Sequence, residues 1–199
     1  MKLYVISNQE NLPNEHVLIT SLFREGLQRF HLRKPSLSDN DMRSFLMQIP
    51  QEYIGKIVIH THHYLAKEFG LYGTHLTEQA RKTTPSVRRI TSTSFHTLEE
   101  VASCTIRYEY AFLSPVFGSF SKPGYTGKLS MEEIKKFLKK SESKEKLVAL
   151  GGIDETNVEI LMKAGFKGAA LSGSIWKSTH PANKFKAIWK LCQSSGQLS

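Results

Sequence analysis

Cysteine is nearly absent from this chain of 199 residues, with only Cys104 and Cys192 present. Two thiols are too few for a disulfide framework or a cysteine metal site, and they fit a reducing compartment. No apolar run is long enough to cross a membrane. The opening Met1-Lys2-Leu3-Tyr4-Val5-Ile6 is too short for a signal peptide, and polar residues follow at once. We therefore expect a cytoplasmic protein with no membrane partner. Acidic residues are outnumbered, 18 against 27 Lys and Arg, which gives a formal net charge of +9. That charge is dispersed rather than blocked. Its densest cluster, Lys135, Lys136, Lys139 and Lys140, alternates with apolar residues at helical spacing and reads as a solvated helix face. The excess points to an anionic small substrate and not to a nucleic-acid partner. A homo-oligomer stays open.

What is present is an alternation of short apolar runs with helical stripes. Strand candidates fall at 3–6, 29–33, 56–60, 73–76, 88–92 and 110–114. Two more are the runs 146–153 and 168–175, each apolar on both faces and ending in Gly or Ser. Helical patterns lie between them, at 14–27, from Ser38 to before Pro50, 63–69, after Thr97, after Ser130, 156–164 and 183–191. Thr97 with Glu100, and Ser130 with Glu133, have the spacing of a capping box. Residues 77–87 read as a loop or a single helical turn. Eight βα units predict a single (β/α)8 barrel domain over 1–199, with an open doubly wound sheet as runner-up. In such a barrel the catalytic groups stand at the C-terminal strand ends, and the loops after strands seven and eight hold phosphate.

Those strand ends carry most of the histidines. Arg33 and Lys122 fit an anionic ligand, Arg as a planar donor fork and Lys as a point charge. His31, His60, His62, His63 and His75 are numerous enough to raise zinc. No HExxH pattern and no carboxylate or cysteine at ligand spacing accompanies them, so no metal site is expected. His96 follows a strand in the turn Ser94-Phe95-His96 and is the candidate for proton transfer near neutral pH. The segment 117–129, with Gly118, Pro123, Gly124 and Gly127, has the length and composition of an active-site lid.

Three stretches in order, Ser94-Phe95-His96-Thr97-Leu98-Glu99-Glu100, Ser114-Pro115-Val116-Phe117-Gly118-Ser119-Phe120-Ser121-Lys122 and Leu150-Gly151-Gly152-Ile153, resemble the thiamin phosphate synthase/TenI family. That family shows a Ser-x-His turn, a Gly-Pro-x-Phe-x-Thr-x-(Thr/Ser)-Lys loop and a Gly-Gly-Ile phosphate loop. The resemblance runs over nearly the whole chain and implies the same barrel. It implies one of two activities in thiamin biosynthesis. Synthases join hydroxymethylpyrimidine diphosphate to a thiazole phosphate and release pyrophosphate with Mg²⁺. TenI-type proteins tautomerise a thiazole carboxylate phosphate without a metal.

The departures from the synthase pattern decide the expectation. The family's Gln-x-Arg-x-Lys reads His31-Leu32-Arg33-Lys34-Pro35 here. Its Asn-Asp reads His60-Thr61, and its second Asp aligns near Ala80, beside Glu78 and Gln79. Both expected Mg²⁺ carboxylates are out of place. The resemblance therefore implies a TenI-like tautomerase with no cofactor, acting on a small-molecule phosphate. The alternatives are a synthase, in which case Mg²⁺ returns, with Glu78 as a shifted ligand, and a non-catalytic binder of thiazole or thiamin phosphate. His96, Lys122 and Arg33 take the catalytic roles. His31, Ser94, Ser119, Ser121, Gly151, Gly152, Ser172 and Gly173 bind substrate.

Overall fold

The computed structural model describes residues 1–83, 89–118, 130–141 and 146–194. Within them the order is β1 (Lys2–Ile6), α1 (Glu15–Arg24), β2 (Arg29–Leu32), α2 (Asp39–Met47), α3 (Gln51–Ile54), β3 (Ile57–Ile59), α4 (Leu65–Phe69), β4 (Gly73–Leu76) and α5 (Glu78–Thr83). It continues with β5 (Arg89–Phe95), α6 (Leu98–Ser103), β6 (Arg107–Leu113), α7 (Met131–Lys140), β7 (Leu147–Leu150), α8 (Val158–Ala164), β8 (Gly168–Leu171), α9 (Gly173–Trp176) and α10 (Pro181–Ser194). Every strand pairs in parallel with its neighbours, and β8 pairs back onto β1. The sheet closes as a (β/α)8 barrel, as the alternating pattern predicts. Among the described residues no helix is long and apolar enough to cross a membrane.

Alternation along each strand divides the apolar residues between two cores. Leu3, Val5, Phe30, Leu32, Ile57, Ile59 and Leu171 pack outward against helix residues such as Leu22, Met42, Leu46 and Leu161. Each such side chain stabilises the fold by about 1.5–3 kcal/mol relative to exposure. A smaller inner cluster contains Tyr4, Ile6, Tyr110, Phe112, Val148 and Ala170. Those residues come from β1 and β6–β8. On β2–β5 the interior is polar instead, and that asymmetry shapes the site.

The expected helix signals act largely as read. Ser38 and Thr97 accept from the backbone N–H groups of Asp41 and Glu100, Gly70 ends α4 in the left-handed region, and Ser130 with Glu133 forms the full capping box. At Thr97 the box is only half made, because the Glu100 carboxylate accepts from His96 N–H rather than from Thr97. Four elements differ from the expectation. β5 runs on to Phe95, which puts Ser94 inside the strand. The run 168–175 breaks at Ser172 into β8 and the four-residue α9. Where a loop or a single helical turn is expected after β4, the six-residue α5 forms, and α3 stands between Pro50 and Gly55.

Candidate active site

The polar half of the barrel interior is built by β2–β5. Strand pairing sets His31 beside Val58 and His75 beside Ser92, and these inward positions meet at the barrel axis. His31 Nδ1 lies 3.0 Å from His60 Nε2, and His31 Nε2 lies 2.7 Å from the Tyr110 hydroxyl. His75 bonds Ser92 Oγ at 2.9 Å through Nδ1 and Ser94 Oγ at 3.0 Å through Nε2. These bonds make two groups, His60–His31–Tyr110 and Ser92–His75–Ser94, which meet where Ser92 pairs with Tyr110 in the β5–β6 register and where the His60 and His75 rings stack. Burial holds the His31 and His60 imidazoles well below the usual histidine range, and neighbouring His75 adds to the effect. Burial, followed by the Arg33 charge, pushes His75 down to about 3. All three rings are neutral at pH 7, which suits a dry, low-dielectric interior.

The ring nitrogens of His31, His60 and His75 lie within 4.8 Å of one another, close enough to raise a metal site. Their orientation argues against it. The His60 and His75 rings stack, with centroids 4.1 Å apart and planes only 18° from parallel. A metal bound to imidazole lies near the ring plane, about 2.0–2.1 Å from nitrogen. Two nearly parallel planes at this spacing share no such point, and both nitrogens of His31 and of His75 are already engaged, as is His60 Nε2. The trio is a network of hydrogen bonds and ring stacking in this geometry.

Above it, at the C-terminal ends of the strands, the side chains take distinct duties. His63 Nε2 lies 3.0 Å from His60 O and 3.1 Å from His75 O. Carbonyls only accept, so Nε2 carries the proton and His63 clamps the ends of β3 and β4 together. β3 stops at Ile59 and His62 has a φ of +52°, so His60 and His62 do not share a strand face. His62 turns away to Asp39, 3.1 Å from its Oδ1. Arg33 is exposed at the mouth, near enough to depress both His60 and His75, while its backbone N–H bonds Ser7 Oγ at 2.8 Å. The next residue points the other way. Lys34 is fully buried and bonds Glu15 Oε2 at 2.5 Å and Glu10 O at 2.5 Å. Burial raises the Glu15 carboxyl, and the hydrogen bond from Lys34 opposes that rise.

His96 stands on the rim, about half exposed. Its Nδ1 lies 2.7 Å from Ser114 O, so that nitrogen is the donor. In the neutral ring Nε2 then carries the lone pair, and it faces Glu78 Oε2 at 3.7 Å. Glu78 comes from the first turn of α5, where the sequence suggests a loop or a single helical turn. Ser94 is held by His75 at the top of β5.

The opposite side of the mouth is made of backbone. Gly151 has a φ of +105° and Gly152 of +64°, conformations that side chains disfavour. A Cβ on Gly152 would sit 2.3 Å from Gly118 O, and one on Gly151 would sit 2.7 Å from Pro115. Val116 N–H and Phe117 N–H bond Leu150 O and Gly151 O, which lays the start of the β6 loop along the Gly-Gly turn. Asn157 Nδ2 braces Gly152 O at 2.7 Å. After β8, Ser172 and Gly173 open α9, and Trp176 Nε1 ties it to Ile6 O at 2.6 Å. Ser174, which the sequence reading passed over, has a buried hydroxyl with no partner among the described residues. The Ser-Gly-Ser string at the end of β8 was the signal for it. Ser119, Ser121, Lys122 and most of the expected lid lie outside the described residues.

The Mg²⁺ that the family resemblance implies fits this mouth poorly. Mg²⁺ takes hard oxygen donors, with one or two carboxylates beside phosphate. The positions in question hold His60, Thr61 and Ala80, and Asp39 is engaged by His62 and by the Tyr64 hydroxyl at 2.5 Å. Beside His96 stand Glu78, facing its ring, and Glu100, whose carboxylate already accepts from His96 N–H.

Comparison with known proteins agrees with this architecture. The family model described as Thiamine monophosphate synthase matches residues 3–175. A thiamine-phosphate synthase of Flavobacterium psychrophilum is 30% identical over 193 residues, covering 90% of this chain and 93% of the relative. One from Chlamydia caviae is 25% identical over 199 residues, covering 94% and 92%. The crystal structure of a thiamine phosphate pyrophosphorylase from Bacteroides thetaiotaomicron superposes with a TM-score of 0.83 at 33% identity, covering 96% of this chain and 98% of that one. The family match extends over most of the barrel, from β1 to α9, and on that ground the chain belongs to the thiamine monophosphate synthase family.

Proposed function

We propose that this protein is a transferase of the thiamine-phosphate synthase type. It would join hydroxymethylpyrimidine diphosphate to a thiazole phosphate: the C–O bond to the diphosphate breaks, a bond from the thiazole nitrogen to that carbon forms, and pyrophosphate leaves. The carrying observation is a mouth with two separate places for anions. Backbone N–H groups around Gly151, Gly152, Ser172 and Gly173 stand on β7–β8, and the Arg33 guanidinium stands on β2. The carboxylate of a thiazole carboxylate phosphate would suit Arg33 as well, so the choice between the two activities rests on the names of the relatives, which reverses the order that the missing carboxylates suggest.

In this reading the thiazole phosphate rests on the two glycine turns, and the Ser174 hydroxyl gains the acceptor it lacks. A buried polar group without a partner costs about 1–3 kcal/mol, so the ligand relieves a real penalty. Arg33 stabilises the departing diphosphate at the mouth, above the neutral histidines of the interior. Lys122 would add a second charge. His31 would act through His60 rather than by direct exposure. No step is assigned to a metal, because the described donors do not form a Mg²⁺ site. The two free thiols support a cytoplasmic location.

One observation favours a tautomerase instead. His96, fixed by Ser114 O and facing Glu78, is set for proton transfer, and the synthase reaction moves no proton in forming its new bond. His96→Ala separates the readings. Under the synthase reading pyrophosphate release falls by less than about tenfold. Under the tautomerase reading, turnover of a thiazole carboxylate phosphate falls by about 10²–10⁴-fold.

A further inference from the structure

The opposite, N-terminal end of the barrel holds a cavity of about 770 Å³ that the proposed reaction does not use. Strand starts form its rim. Lys2 opens β1, Arg29 opens β2, Lys56 precedes β3 and Lys167 precedes β8. Against these four cations the lining offers one carboxylate, Glu109. None of the four makes an ion pair among the described residues. Four cations against one carboxylate on a concave surface raise the local potential and draw anions.

The cavity also has aromatic walls and a fixed donor. Tyr4, Tyr110 and Trp189 line it, and Tyr72 stands at its edge. The Arg29 guanidinium stacks 3.5 Å from the Tyr72 ring centroid, and its Nη1 donates to Gln28 O at 2.8 Å. Tyr72 is itself held by a 2.8 Å hydrogen bond from its hydroxyl to Glu109. Arg29 is therefore oriented before any ligand arrives. Gly26 approaches Trp189 closely enough that a Cβ would lie 3.3 Å from the indole nitrogen, so the indole is packed in place. The volume lies within the range of small-molecule sites, about 300–1,000 Å³.

We propose that this cavity is a second ligand site, on the face opposite the active mouth, for a phosphorylated molecule bearing a neutral heteroaromatic ring, of the size of a nucleoside monophosphate. The phosphate meets Arg29 and the rim lysines, and the ring lies among Tyr4, Tyr110 and Trp189. A cationic ring, such as the thiazolium of thiamin phosphate, is disfavoured by the same lysines.

The test is calorimetric titration of the full chain with adenosine monophosphate, inorganic phosphate and thiamin phosphate as separate probes. Adenosine monophosphate should bind the cavity at one site, at least tenfold tighter than any component of thiamin phosphate or phosphate binding that the cavity variants remove, and more weakly as salt rises. Lys2→Gln with Lys167→Gln, both at exposed positions, should weaken it at least tenfold at an unchanged melting temperature; Arg29→Gln should do the same. The mouth variant Arg33→Gln should leave it unaltered. The assignment is overturned by absence of binding at millimolar adenosine monophosphate, by binding that the Arg33 variant abolishes and the cavity variants spare, or by thiamin phosphate or bare phosphate binding equally tightly in a component that the cavity variants remove.

Discussion

The two halves of the barrel mouth are made of different material. Across β2–β5 the groups are side chains: Arg33, His60, His63, Ser94 and His96 above the buried His31–His75 network. Across β7–β8 they are backbone: two glycines in left-handed conformations and the start of α9. A backbone site depends on chain geometry and offers the same N–H groups whatever the neighbouring side chains. A side-chain site changes chemistry with each substitution. This chain keeps the first in the form the family resemblance describes and departs in the second, where carboxylate positions hold His60, Thr61 and Ala80. In the proposed reading, specificity rests on the side-chain half and phosphate anchoring on the other.

Perturbing each half should give separable results. The largest effect belongs to Lys34→Met, on the side-chain half but outside its chemistry. It leaves Glu15 buried beside an apolar neighbour, and breaking such a pair costs about 3–5 kcal/mol. Urea denaturation should show that loss, while turnover per folded molecule is retained. A fall in turnover without a fall in stability would move Lys34 into the mouth. The adjacent Arg33→Gln should do the reverse, lowering turnover by about 10²–10³-fold with stability unchanged, as for the loss of one donor to developing charge. Steady-state kinetics with folded fraction checked by circular dichroism decides it.

On the backbone half, Gly152→Ala places a Cβ against Gly118 O at a φ of +64°. Left-handed strain costs about 1–2 kcal/mol, so KM for the thiazole phosphate should rise roughly tenfold or more, with KM for the diphosphate substrate nearly constant. Equal changes in both constants would show that the two halves are not separate.

The smallest effect per unit is in pH. The folded pKa values of His31, His60 and His75 lie below the unfolded value, about 6.5. The folded state then binds fewer protons than the unfolded state below that pH, so stability is complete above it and declines as pH falls toward the folded values. Each histidine contributes a slope of up to about 1.4 kcal/mol per pH unit. For His75 the window closes near about 3. Denaturation at pH 7.0 and 5.5 should show the decline, and His75→Asn should make it shallower. A flat profile would mean that these rings titrate in the fold as they do in the unfolded chain.

The barrel was legible because each strand repeats its own evidence, an apolar run with a turn residue after it. The glycine turns were legible for a similar reason, since adjacent glycines at a strand end have few other uses. The division of labour among the histidines was not. His63 becomes a clamp only because β3 and β4 are neighbours, and His31 meets Tyr110 across 79 residues of sequence. Lys34 and Arg33 differ by one position, and alternation alone separated their directions without naming Glu15. The pairing of Glu78 with His96 needed α5, whose sequence is polar and weakly patterned. α9 was hidden because four residues are too few to show a helical period.

The most direct measurement is pyrophosphate release from hydroxymethylpyrimidine diphosphate and thiazole phosphate with purified protein and Mg²⁺ in the buffer. A transferase with two anion sites releases one pyrophosphate for each thiamin phosphate formed, and only when both substrates are present. Absence of release, together with interconversion of thiazole carboxylate phosphate tautomers by the same preparation, would contradict that function and hand the mouth to His96 and Glu78.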